Sequence, residues 1–129
     1  MVKQLKDNTS NFFKHKVDGK SKDNLWTTFK EYKGSLQGKG YTKGFIALNT
    51  RASNDYADKS NVAYLANRYV NPMITSFFYM HNVELDEDAF ALSEMLQLIW
   101  RSRIRKGENI NVYIPSRRMR ELFEEWLKG

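Results

Sequence analysis

The chain has 129 residues, 41% of them hydrophobic, which suits one domain around one buried core. It contains no cysteine, which excludes a disulfide framework, a thiolate metal site and a cysteine nucleophile. The formal charge of +6 is uneven, with ten lysines against four acids over residues 1–43, three bases against seven acids over 44–100, and eight bases against four acids over 101–129. Two basic ends around an acidic middle suit a partner that carries phosphates, although a solvated, solubilising surface has the same composition. His15 and His81 do not form a zinc-binding pair, and no metal site is expected. No apolar run approaches the ~20 residues of a membrane span and no signal segment is visible, so a cytoplasmic protein without a membrane partner is expected.

Residues 1–22 are mostly Lys, Asp, Asn and Ser around one apolar pair, Phe12 and Phe13, and are expected to be a mobile basic arm. The domain is expected to run from Asp23 to residue 129. Asp23 is placed to cap a helix over Asn24 to Gln37, in which Trp26, Phe29 and Tyr32 recur at three-residue spacing. Gly44-Phe45-Ile46-Ala47-Leu48 predicts a short buried strand that ends in a polar loop, Asn49 to Asp55. Val62 to Leu65 fits a strand or part of a helix equally well. Asn71-Pro72 predicts an N-cap and first turn for a helix ending near Asn82. Acids Asp86 to Asp88 and the closing Arg105-Lys106-Gly107 bracket the clearest helix, Asp86 to Arg105. Ile110 to Ile114 predicts a strand, and Ser116 caps a last helix with Met119, Leu122, Phe123 and Trp126 inward and Arg117/Glu121 and Arg120/Glu124 pairs outward. Strands alternating with helices imply an α/β domain with a small, mostly parallel sheet flanked by helices.

Gly19-Lys20-Ser21 is not a phosphate-binding loop, since Lys14 stands where that loop needs glycine and no buried strand precedes it. Asp86-Glu87-Asp88-Ala89 opens a helix, which explains its acids without magnesium. The long helix carries a sharper pattern. At ~100° per residue, Glu94, Gln97, Arg101 and Arg105 share one stripe, opposite Leu92, Met95, Leu96 and Ile99. Arginines one turn apart can fork onto phosphate oxygens, with Gln97 beside them; the plain alternative is a solvated face with a local Gln97/Arg101 contact.

The run Tyr41 to Tyr56 resembles motif V of superfamily-two helicases, where a strand delivers a polar loop to a cleft. Leu92 to Arg105 resembles motif VI, a Gln followed by arginines. Asp23-Asn24-Leu25-Trp26, Tyr113-Ile114-Pro115-Ser116 and Arg118-Met119-Arg120 extend the similarity to helicase-like replication proteins of phages and mobile elements of Gram-positive bacteria, over Asp23 to Leu127. The resemblance implies the second RecA-like lobe of a two-lobed motor. Arg101 and Arg105 would then be arginine-finger candidates, with Arg103 as an alternative, and Gln97, Asn54 and Asp55 would lie near ATP. Thr50 and Arg51, with Lys43, would meet the nucleic-acid backbone, DNA rather than RNA. Trp100 and Ile104 depart from the family's pattern, and the first lobe with its P-loop is absent. ATP and magnesium are therefore expected only in a complete two-lobed protein and no cofactor for this chain alone. The expected partners are nucleic acid and a P-loop-bearing first lobe, with self-association through the surface that lobe would cover. The alternative is a stand-alone nucleic-acid-binding or protein-interaction module.

Overall fold

The computed structural model describes residues 2–17, 20–48, 56–67, 72–82 and 86–129. Three strands, β1 (Asn24–Thr28), β2 (Asn61–Leu65) and β3 (Asn111–Tyr113), form a parallel sheet in the order β1-β2-β3. Helices α1 (Val2–Asn11), α2 (Lys33–Leu36), α3 (Pro72–Met80), α4 (Glu87–Ile99) and α5 (Arg117–Leu127) complete the domain. Side chains alternate along the strands. Leu25, Val62 and Tyr64 join Ala91, Met95, Leu98 and Ile99 of α4 and Met119 of α5 in one core. Trp26, Ala63 and Leu65 join Phe12, Phe13, Leu36 and Tyr41 in a second core on the opposite face. With helices on both faces, every position of β1 and β2 is buried, as a parallel sheet requires. The expected α/β class and small parallel sheet are what the chain forms.

Two expectations are corrected by this arrangement. Residues 2–11 are helical and not a mobile arm, and the chain continues through a wider helical turn, Phe12–Lys16. Leu5, Thr9, Phe12 and Phe13, spaced i, i+4, i+7 and i+8, face the sheet. Thr9 is buried with its hydroxyl donating to the Leu5 carbonyl at 2.8 Å, Phe12 stacks on Tyr113 at 5.2 Å, and Phe13 stacks on Tyr41 at 5.0 Å. The domain thus begins in α1, well before Asp23.

The helix expected over Asn24 to Gln37 is also wrong, because its first five residues are β1 and only Lys33–Leu36 is α-helical. Trp26, Thr27 and Thr28 favour the pleated backbone. The two threonines spend their hydroxyls across the sheet, Thr27 donating to the Ile46 carbonyl at 2.6 Å and Thr28 to that of Leu65 at 2.8 Å. Those bonds also limit the strand expected over Gly44 to Leu48. Phe45 makes a single parallel bridge to Trp26, and Ile46 donates its N–H to the Trp26 carbonyl at 3.0 Å. Gly44 approaches the Asn24 carbonyl so closely that a Cβ there would lie 1.9 Å from that oxygen. The ambiguous Val62 to Leu65 segment is the central strand, β2.

Each strand opens on asparagine, and the three asparagines are in register. The Asn61 amide donates to Asn24 Oδ1 at 3.1 Å, Asn111 donates to Asn61 Oδ1 at 3.0 Å, and Asn24 donates to the Gly40 carbonyl at 2.9 Å. Asn24 and Asn61 are buried, so these bonds replace water that cannot reach them. Asn61→Ala leaves the buried Asn24 oxygen without its donor. The expected loss is about 2 to 3 kcal/mol of stability, measured as a shift in the urea midpoint at unchanged slope.

Candidate functional site

The acids that open α4 each have a structural task. Asp86 caps the helix, accepting the Ala89 N–H at 3.0 Å; Glu87 accepts the Thr75 hydroxyl at 3.1 Å; Asp88 holds Arg118 at 2.9 Å. Gly19-Lys20-Ser21 is no phosphate loop either, because Lys20 and Ser21 lead into β1 instead of following a strand. Gly19 lies outside the described residues. Among the described residues, no group of three His, Asp or Glu side chains is placed to hold a metal. None of the described helices is long and apolar enough to cross a membrane.

Helix α4 buries Ala91, Met95, Leu98 and Ile99 and leaves Gln97 exposed, so the expected polar stripe is present as far as Gln97. It stops at Ile99 and does not reach Arg105. The last turn tightens, with Arg101 donating its N–H to the Leu98 carbonyl at 3.0 Å and Ser102 to that of Ile99 at 3.1 Å. Ser102 is extended and buried, and its hydroxyl donates to the Ile99 carbonyl at 2.6 Å. The Arg103 N–H is drawn to the Lys59 carbonyl at 2.9 Å, just before β2, and a 3₁₀ turn, Arg103–Lys106, follows. Gly107, at φ 79°, closes that turn in the left-handed conformation. Arg101 and Arg105 therefore do not share a helical face. Arg101 sits in the turn beyond α4, at the end of the sheet where the strands begin, and Arg105 belongs to the separate 3₁₀ turn.

The arginines differ in how their charge is used. Arg103 donates to the Asn109 carbonyl at 2.7 Å and pairs with Glu108 at 3.5 Å. Arg117 pairs with Glu121 at 2.9 Å, Arg120 with Glu124 at 3.8 Å, and Arg118 with Asp88 and the Asn67 carboxamide. Arg101, by contrast, has a buried Nη1 with no hydrogen-bond partner among the described residues. Gln97, one turn earlier, makes a long 3.3 Å contact to Ser93 and stays open to solvent. Trp100 beside Arg101 is half in solvent and meets Trp126 edge to face at 5.7 Å.

Lys106 bonds to Asp58 at 2.6 Å, and that bond holds the Asp58 carboxyl below its ordinary pKa. Burial pushes the Lys59 ammonium below its usual value, against the opposing pull of Asp23, and its Nζ donates to the Lys22 carbonyl at 2.9 Å. The first contact ties the turn Arg103–Lys106 to the approach to β2, and the second ties that approach to the one into β1.

Of the other residues singled out by sequence, Lys43 is exposed on the 3₁₀ turn Thr42–Gly44. Thr50, Arg51, Asn54 and Asp55 lie outside the described residues. Sequence reasoning missed α3 as a surface feature. Met73, Phe77 and Met80 fall at i, i+4 and i+7, the spacing of one helical stripe, and are 79%, 57% and 78% exposed.

A family described as the YonV C-terminal Rossmann-like domain matches residues 1–127. The SPbeta prophage-derived protein YonV of Bacillus subtilis (strain 168) is 52% identical over 127 residues, covering 98% of this chain and 31% of that protein. The chain thus spans about a third of the length of this relative. No solved structure matches it.

A guanidinium nitrogen buried without a partner costs about 1 to 3 kcal/mol. Arg101→Met keeps the aliphatic stem and removes that cost. The variant is expected to melt a few degrees higher than the parent, as followed by circular dichroism.

Proposed function

The chain belongs to the family of YonV C-terminal Rossmann-like domains, and on that premise we propose that it is the phosphate-sensing lobe of a larger nucleic-acid-dependent ATPase. The observation that carries this reading is the Arg101 Nη1, buried with no hydrogen-bond partner among the described residues, whereas Arg103, Arg117, Arg118 and Arg120 are all paired. Buried polar groups are ordinarily hydrogen-bonded within the fold, and a cationic one that is not is a candidate for an outside partner. For a guanidinium that group is an anion, and a phosphate oxygen matches its fork. Gln97 lies one helical turn away, free to orient a water or a phosphate oxygen.

Under this reading, ATP and magnesium are held by a P-loop-bearing lobe elsewhere in the complete protein, and this domain supplies Arg101 once the two lobes close. Arg105, Asn54 and Asp55 would be further contacts to the nucleotide. Lys43, Thr50 and Arg51 would contact the backbone of DNA. A family named for a C-terminal domain, and a relative about three times as long, leave room for such a lobe.

In the complete protein, Arg101→Ala is expected to lower ATP turnover about 10³-fold or more while leaving nucleic-acid affinity within about twofold. Single-turnover hydrolysis reads this directly, and unchanged turnover removes Arg101 from the role. For the chain itself, affinity for single-stranded DNA is expected to fall with salt by about 0.7 in log K per log unit of salt for each phosphate contact, as read by a fluorescence-anisotropy titration.

A further inference from the structure

The opposite end of the sheet carries a second feature. Where the strands end, α1, the turn after β1 and the start of α5 enclose a crevice of about 590 Å³. Thr28, Leu65 and Tyr113, the last residues of the three strands, reach it. In open parallel sheets this is the end at which ligands bind.

The lining specifies the chemistry. Tyr32 and Tyr113 supply aromatic surface, and Gln4, Asn8 and Asn67 supply carboxamides. Among the described residues, no charged side chain lines the crevice. Gln4 and Asn8 are one turn apart on α1 and exposed, so neither amide is spent on the fold. Burial raises the Tyr113 phenol above its ordinary pKa. Aromatic walls with carboxamides, each a donor and an acceptor, fit a flat neutral ring with donors and acceptors on its edge. Nucleobases have that character.

A charged group has its own place at the rim. Ser116 lines the crevice and caps α5, accepting the Met119 N–H at 3.3 Å. The first turn of α5 contains Arg117, Arg118 and Arg120 and no acid, contrary to the usual preference at the positive end of a helix. Arg118 is held at this rim by Asn67 at 2.8 Å. The turn after β1, from Phe29 to Tyr32, contains no glycine, so it does not offer the close backbone approach that a dinucleotide's pyrophosphate needs.

We propose that this crevice binds a single nucleobase, stacked on its tyrosines and read by Gln4, Asn8 and Asn67, with the attached phosphate against the first turn of α5. The ligand is a nucleoside phosphate, either free or as one unstacked residue of a single strand. The proposal rests on the domain's handling nucleic acid or nucleotide, and it is independent of Arg101, which sits at the other end of the strands.

The test compares the intact chain with Tyr32→Ala and Asn8→Ala, both at exposed positions that leave the cores untouched. Three probes are titrated: a ~12-nucleotide oligothymidylate, the same strand with abasic sites, and the single mononucleotides. The double variant is expected to weaken the normal strand about ten- to hundredfold, and the abasic strand less than twofold. A parent that prefers mononucleotide over strand supports a free nucleotide as the ligand; a parent that prefers the strand supports an unstacked residue of nucleic acid. Equal affinity for normal and abasic strands, with no measurable mononucleotide binding, overturns the proposal. A loss of ATP turnover in Arg101→Ala with this outcome would leave the ATPase reading standing and the base site refuted. The converse pattern would leave the base site standing alone.

Discussion

The hydrogen-bonded ladder Asn111–Asn61–Asn24 fixes the alignment on which the rest of the domain depends. In a sheet with one dry face, a one-residue slip exposes the apolar side chains and is rejected on that ground alone. Here both faces of β1 and β2 are buried, so a slipped strand would still place most of its apolar side chains in a core. Burial therefore discriminates weakly between registers. The amides discriminate strongly, because a slip sets a buried carboxamide against an apolar neighbour and leaves it unsatisfied. Aligning the strand starts also aligns their ends, and it places the Arg101 turn, which hangs from the residue just before β2, relative to the crevice formed by Thr28, Leu65 and Tyr113.

How far the sequence disclosed this arrangement depended on the kind of signal. Caps were legible because they are local chemistry: Asp86 and Ser116 bond to the N–H groups expected of them, and the Arg117/Glu121 and Arg120/Glu124 pairs form. Strand against helix was not legible at Asn24 to Thr28. Trp26 and Phe29 obey a three-residue spacing, but Thr27 and Thr28 find carbonyl partners on Ile46 and Leu65, residues distant in sequence. The helix in residues 2–11 was concealed by its composition, since polar residues outnumber the four positions that face the sheet. Arg101 and Arg105 were singled out together as phosphate contacts, with Arg103 as an alternative, for a helical register that Ser102 interrupts, and the structure separates Arg101 from the other two. What distinguishes it in three dimensions is the satisfaction of every other arginine whose bonds are described. The crevice left no sequence signal, because Gln4, Asn8, Asn67 and Tyr113 come from three separate stretches that only the fold assembles.

The two candidate sites divide the domain by the direction of its strands. Arg101 and Lys43 lie where the strands begin; where the strands end, uncharged hydrogen-bonding groups line the crevice and the arginines of α5 stand near its rim. A single-stranded polymer presents both characters, a repeating anion and a repeating flat ring.

The tryptophans give this division an optical handle. Trp26 is sealed between β2 and the Phe12 cluster, whereas Trp100 and Trp126 face each other at the surface next to Arg101. Indole emission shifts with the polarity around the ring, so one chromophore reports whether the interior is intact while the surface couple reports events around its neighbouring cation. The unmodified polypeptide can thus distinguish a change in folding from a change in occupancy within one spectrum.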